Sequence, residues 1–167
     1  GMQKKLGVIL FQLPPSLQKD LVLLKEFLHL LPSSPPSCLE FRHASWESTD
    51  TFDVLAEAGC GHVVVSMKGH PFVEQHTSGI AYYRLHGPEK RFGSPYPDAW
   101  LYALGSRIRR LSQAGTTCYV FFNNDIGGHA VRNARTLKTL LHEGRCRTSA
   151  LPWREMKRGG GSGRPIG

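Results

Sequence analysis

The chain has no apolar run near the roughly 18 residues needed to cross a bilayer, and no charged-apolar-small pattern opens it. Membrane-spanning and secreted readings therefore fall away. Cysteine is scarce: Cys38, Cys60, Cys118 and Cys146 lie far apart, with no Cys-x-x-Cys pair. A local zinc knuckle needs close-set thiolates and a disulfide scaffold needs a dense set, so neither is expected, and the spacing fits a reducing cytoplasm. No Gly-x-Ser-x-Gly element occurs, and no cysteine has a histidine at a recognisable catalytic spacing. Gly159–Gly161 has no strand before it and no helix after it, so it is not a phosphate loop.

Acidic residues are also few, 13 against 21 Lys plus Arg in 167 residues. That excess is unevenly placed. Residues 145–167 carry Arg145, Arg147, Arg154, Lys157, Arg158 and Arg164 against one acid, Glu155. This segment lacks apolar periodicity and ends Gly-rich, so it reads as a disordered basic tail that packs against nothing, following a domain over residues 1–144. A basic tail can touch phosphate backbones, which keeps nucleic acid as a weakly supported partner.

Short β-rich runs alternate with amphipathic stretches over the remainder. The runs are GVILFQL (7–13), CLEFRH (38–43), HVVVSM (62–67), IAYYRLHG (80–87) and TTCYVFFNND (116–125). Leu17, Leu21, Leu24, Phe27, Leu28 and Leu31 share one face of a helix expected over Leu17–Leu31, with Ser16 as its cap. A second helix begins around Phe52, with Ser48 as cap and Asp50 in its first turn. A third runs from about Pro97 to Ala114 and stops at Gly115; a fourth runs from about Ala130 to Glu143 and stops at Gly144. The link KGHPFVEQHTSG (68–79) is too short for a full helix. Such βα repeats imply a parallel sheet covered by helices. At about 28 residues per unit the chain supplies five units. It is then either a small doubly wound sheet or part of an eight-unit barrel of roughly 220 residues.

Strand parity separates packing from chemistry, because side chains on one face recur every second residue. Leu39 and Phe41 oppose Glu40 and Arg42; Tyr83 and Leu85 oppose Tyr82, Arg84 and His86. Tyr119, Phe121, Asn123 and Asp125 share one face, and Gln12 shares one with Val8 and Leu10. Charged groups inside parallel strands are costly unless paired, and these fall towards the C-terminal strand ends, where such folds hold ligands. Glu40, Arg42, Arg84 and His86 are therefore expected to converge on one side of the sheet. Two arginines, a carboxylate, a histidine and amides suit a phosphate or a sugar acid. Mutual neutralisation of Glu40 and an arginine is the plainer alternative. His43 suits a cap or a loop. His62, His70, His76, His129 and His142 read as ordinary surface residues. Glu40, His86 and Asp125 are metal-ligand types on separate strands with no local motif, so no metal and no cofactor is assigned. Gly127-Gly128 either holds an anion at a helix start or only makes a tight turn, the better single reading.

The motifs LGVILFQLPPSL (6–17), LEFRHASW (39–46), YYRLHG (82–87) and YVFFNND-x-x-G-x-A-x-x-NA (119–134) occur in this order. Over about residues 5–142 the chain resembles the YecE-like family, known as domain of unknown function 72. The resemblance implies part of a TIM-type (β/α) barrel, about five of its eight strands, in a group placed loosely with sugar isomerases and metal-using barrels. The family's reaction is not established. Its members begin with about three more βα units, and its third strand often ends in an acid where Ser66-Met67 stands here. Carried over onto matched positions, the candidate site is Gln12, Glu40, Arg42, His43, Arg84, His86, Asn123, Asn124 and Asp125.

The leading expectation is an enzyme-like barrel that takes a small polar or anionic ligand, phosphorylated or sugar-like, for isomerase-like or hydrolytic chemistry. His86 is the first acid–base candidate because imidazole titrates near neutrality, Glu40 its orienter or the base, and the arginines hold negative charge. The alternatives are a non-catalytic binding or nucleic-acid-associated protein, and an incomplete, inactive fragment. Five strands of a barrel leave two open edges, so self-association through them is expected.

Overall fold

The computed structural model describes residues 6–143. The tail read at 145–167, Gly144 as a helix stop, and Cys146 lie outside the described residues. Five strands form one parallel sheet: β1 (Ile9–Gln12), β2 (Ser37–Glu40), β3 (Gly61–Ser66), β4 (Ile80–Leu85) and β5 (Thr117–Phe122). Their spatial order is their chain order, β1-β2-β3-β4-β5, and every neighbouring pair is parallel. A doubly wound sheet would reverse direction at a switch point; a sheet wound one way curls into a barrel. The strands accordingly form a half-barrel, and the doubly wound alternative is discarded.

Four helices stand between or after the strands: α1 (Leu21–His29), α2 (Thr49–Glu57), α3 (Asp98–Gln113) and α4 (His129–His142). No helix intervenes between β3 and β4. α1 begins four residues later than the Leu periodicity suggests. Its cap is Asp20, not Ser16: Asp20 Oδ1 accepts from the backbone N–H groups of Val22 and Leu23, both at 3.0 Å. Residues 17–19 are held instead by the loop after β2. Trp46 Nε1 donates to the Leu17 carbonyl at 2.9 Å, and Lys19 N–H donates to Ser45 Oγ at 2.8 Å. Tertiary bonds thus outweigh an apolar periodicity that continues upstream of the helix. At the far end Gly127 (φ 72°) and Gly128 (φ 70°) make the tight turn into α4, where a side chain would be strained.

The convex face of the sheet packs on the helices in two apolar clusters. Leu39 and Phe41 meet Leu24, Leu28, Trp46 and Leu55, while Val64, Tyr83 and Leu85 meet Tyr96, Leu101, Leu104 and Leu137. The concave face carries Cys38, Val63, Val65 and Tyr82, with Val8, Leu10, Met67 and Tyr119 beside them. Tyr82 stacks on Tyr119 and on Phe121, ring centroids 5.9 and 5.1 Å apart, forming an aromatic floor. β2 and β3 are buried throughout, whereas β1 and β5 are only partly covered. Among the described residues neither β1 nor β5 has a strand on its outer side.

Two histidines expected at the surface are core residues. His62 and His70 are both buried. His62 points to the convex side, where its ring lies between Phe41 and Phe52 and its Nδ1 meets the Gln75 carbonyl at 3.1 Å. His70 Nδ1 meets the Pro71 carbonyl at 2.8 Å. The irregular 67–79 link, to which His70 belongs, covers His62, and no periodicity marks such a cover. His76, in the same link, is half-buried, its Nε2 at 3.3 Å from the Tyr83 hydroxyl. Cys38, Cys60 and Cys118 are free thiols.

Candidate functional site

The alternation of side chains along β1, β2 and β4 sends Gln12, Glu40, Arg42, Arg84 and His86 to the concave face at the strand C-terminal ends. There they form one network. Glu40, completely buried, pairs through Oε1 with Arg42 and through Oε2 with Arg84 Nη1 at 2.7 Å. Gln12 Oε1 accepts from Arg42 Nη2 and from Arg84 Nη1, both at 3.1 Å. Arg84 Nε donates to Asn123 Oδ1, from the end of β5, at 3.2 Å. Arg42 Nη2 lies 3.3 Å from His86 Nε2, and Arg42 Nη1 reaches Met67 Sδ at 3.4 Å. Glu40 and Arg84 thus share a face, as parity requires.

His43, Asn124 and Asp125 are not brought into this network: His43 and Asn124 fall on the other parity, and Asp125 lies where the extended backbone has ended. His43 follows Leu39 and Phe41 to the convex side, and its Nδ1 accepts from the Ser45 backbone N–H at 3.2 Å, capping a short 3-10 turn at Ala44–Trp46. Asn124 is buried away from Asn123. Its Nδ2 donates to the Ser94 carbonyl and to Asn133 Oδ1, both at 2.9 Å. Asp125 lies three residues past the end of β5, takes helical backbone angles and is exposed, so strand alternation no longer governs it. Glu40, His86 and Asp125 therefore do not meet, and no group of three His, Cys, Asp or Glu among the described residues is placed to hold a metal ion.

Asn124 and Asn133 of the last motif thus serve packing, unlike Asn123. Asn133 Oδ1 also accepts from the Tyr96 backbone N–H, and its Nδ2 donates to the Tyr96 carbonyl, each at 3.0 Å. Asn133→Leu leaves these buried groups without partners and is expected to lower stability by about 2–3 kcal/mol. Urea unfolding checks this; a change below about 0.5 kcal/mol would mean that the bonds are replaceable.

Electrostatics set the state of His86. Burial pushes its pKa down to about 3, and the positive charges of Arg42, Arg84 and Arg91, with His70, push it the same way. The expectation of titration near neutrality does not hold for this site. An arginine N–H can only donate, so His86 Nε2 accepts from Arg42 and the neutral ring carries its proton on Nδ1. His86 Nδ1 and Arg42 Nε are buried and find no hydrogen-bond partner among the described residues. Arg42 is itself shifted downward by burial, opposed by Glu40 beside it.

The loop after β4 also borders the site. Phe92 has φ 62°, unusual for a bulky residue, and its ring sits edge-on to His86 with centroids 5.6 Å apart. Arg91 lies over the Phe92 ring at 4.8 Å. Loop residues follow no alternation, so sequence offered no signal for either. Ser66, where an acid was noted in relatives, turns to the convex side and accepts from the Tyr96 hydroxyl at 2.9 Å.

A structure of a DUF72 family protein from Thermotoga maritima is 29% identical, with a TM-score of 0.75, over 83% of this chain and 59% of that one. Two structures of a DUF72 family protein from Enterococcus faecalis, each 22% identical and covering 83% of this chain, share the fold with TM-scores of 0.73 and 0.70 over 60% and 62% of their lengths. The chain thus spans about three-fifths of the structures it matches. No curated protein matches it. No helix among the described residues is long and apolar enough to cross a membrane. The sequence model of the family described as protein of unknown function DUF72 matches residues 1–156, and with the half-barrel common to these structures the chain belongs to that family.

Proposed function

We propose that the concave rim binds a small polar ligand bearing phosphate or sugar-like oxygens, as the ligand site of an enzyme-like barrel. The observation supporting this is the meeting of Gln12, Glu40, Arg42, Arg84, His86 and Asn123 from four strands at their C-terminal ends. Paired charges inside a core need only neutralise one another. Here two guanidiniums face one carboxylate, which leaves a positive excess and unused N–H donors beside a neutral imidazole. Both Glu40 oxygens are taken by arginines, so Glu40 is a positioning residue and not a free base.

Calorimetric titration of the 167-residue chain with glucose 6-phosphate and with glucose tests this. The phosphorylated sugar is expected to bind more tightly, and Arg84→Met to weaken it about 10- to 100-fold, the scale of a charge-assisted hydrogen bond. Binding of neither sugar would refute the reading. Tight binding of a single-stranded oligonucleotide that collapses with added salt would favour the nucleic-acid alternative.

A further inference from the structure

We propose that the rim takes an oxyanion together with one proton, the anion bridging Arg42 and His86 and the proton coming to rest on His86. This rests on the ligand site proposed above and narrows its ligand to an oxyanion. The geometry contains its own switch. Arg42 Nη2 and His86 Nε2 stand 3.3 Å apart as donor and acceptor. If the ring gains a proton at Nε2, both become donors and this bond is lost. An oxygen bearing negative charge can accept from both at once, so the protonated ring and the anion each make room for the other.

The surroundings of His86 give the coupling its direction. Arg42 faces it from the end of β2, Arg84 from β4, Arg91 from the following loop, and His70 from the link after β3. The one carboxylate in the network, Glu40, is engaged by Arg42 and Arg84. Phe92 lies against the ring and Gln12 contributes only a neutral oxygen, already accepting from both arginines. Cationic groups therefore dominate around His86 in the ligand-free protein and keep its ring neutral. An anion placed among them cancels that field and favours the imidazolium. The proton is taken from solvent, so affinity must rise as pH falls.

Sulfate is the suitable probe, because it stays a dianion across the range and brings no proton of its own. Calorimetry of the full chain with sulfate between pH 7 and pH 5, in buffers of different ionisation enthalpy, counts the protons taken up. The expected result is uptake approaching one proton, with affinity rising by up to about tenfold per pH unit. In parallel, imidazole NMR signals of His86 in the wild-type chain should move to those of the charged ring as sulfate saturates, a reading that needs no variant. His86→Gln should abolish both the uptake and the pH dependence. Sulfate binding with no proton uptake and a neutral His86 would overturn the coupling while leaving the ligand site intact. Failure of sulfate to bind at any pH, with glucose 6-phosphate also failing, would overturn both.

Discussion

Replacing Glu40 by Gln is expected to lower the unfolding free energy by about 3–5 kcal/mol, the usual cost of removing one partner from a buried ion pair. Glu40 is completely enclosed, and its single negative charge is shared between two guanidiniums, Arg42 and Arg84, that approach from different strands. The amide keeps the shape but removes the charge. The guanidiniums then repel each other across a poorly solvated interior, and no other carboxylate belongs to the network. Urea denaturation would show a lowered midpoint with an unchanged slope. A companion variant separates charge from packing: Glu40→Leu, Arg42→Met and Arg84→Met combined should recover most of the loss, since an apolar replacement of a whole buried network is often neutral or better. A Glu40→Gln protein within about 1 kcal/mol of the wild type would mean that water reaches the network and that the pairing is not structural. Arg84, only partly covered, is the route by which such water would enter.

Where the sequence was legible, a repeating geometry made it so. Gln12, Glu40, Arg42, Arg84 and His86 could be assigned to one face because a strand alternates its side chains whatever surrounds it. The same rule runs past the strand ends to Arg42, His86 and Asn123 and sends His43 and Asn124 to the opposite face; it fails at Asp125, where the backbone has turned helical. The cap of α1 was misplaced for a related reason. Ser16 and Asp20 are both capping types, and the bonds of Leu17 and Lys19 to the loop after β2 decide between them. Phe92 reaches His86 from an irregular loop, and Arg91 and His70 act on its charge from irregular segments; no one-dimensional pattern carries such relations. Parity also places His86 beside Arg42 at the strand ends. Its charge state depends first on burial and then on three arginines, all brought about only by folding.

The half-barrel's margins carry the second large effect. A closed barrel has no sheet edges, whereas β1 and β5 here each have a side without a strand partner among the described residues. Both edges run in the same direction, so each can extend the sheet by accepting a further parallel strand. The concave face beside them is apolar. Phe121 is 43% exposed on β5, next to Tyr119, and Val8 and Leu10 are only partly covered beside β1. Backbone groups seeking partners and apolar area seeking cover therefore lie side by side, the combination that drives edge-to-edge pairing. The 167-residue chain is accordingly expected to self-associate at micromolar concentrations. Light scattering over a dilution series should report masses above one chain that fall towards it on dilution. Phe121→Lys places a charge on the open concave margin without touching the helix-packed core, and should shift the association to at least about tenfold higher concentration. Adding about three further βα units ahead of β1 should abolish it. A chain that stays monomeric and unfolds cooperatively at every concentration would show that the exposed margins of β1 and β5 are satisfied by solvent alone.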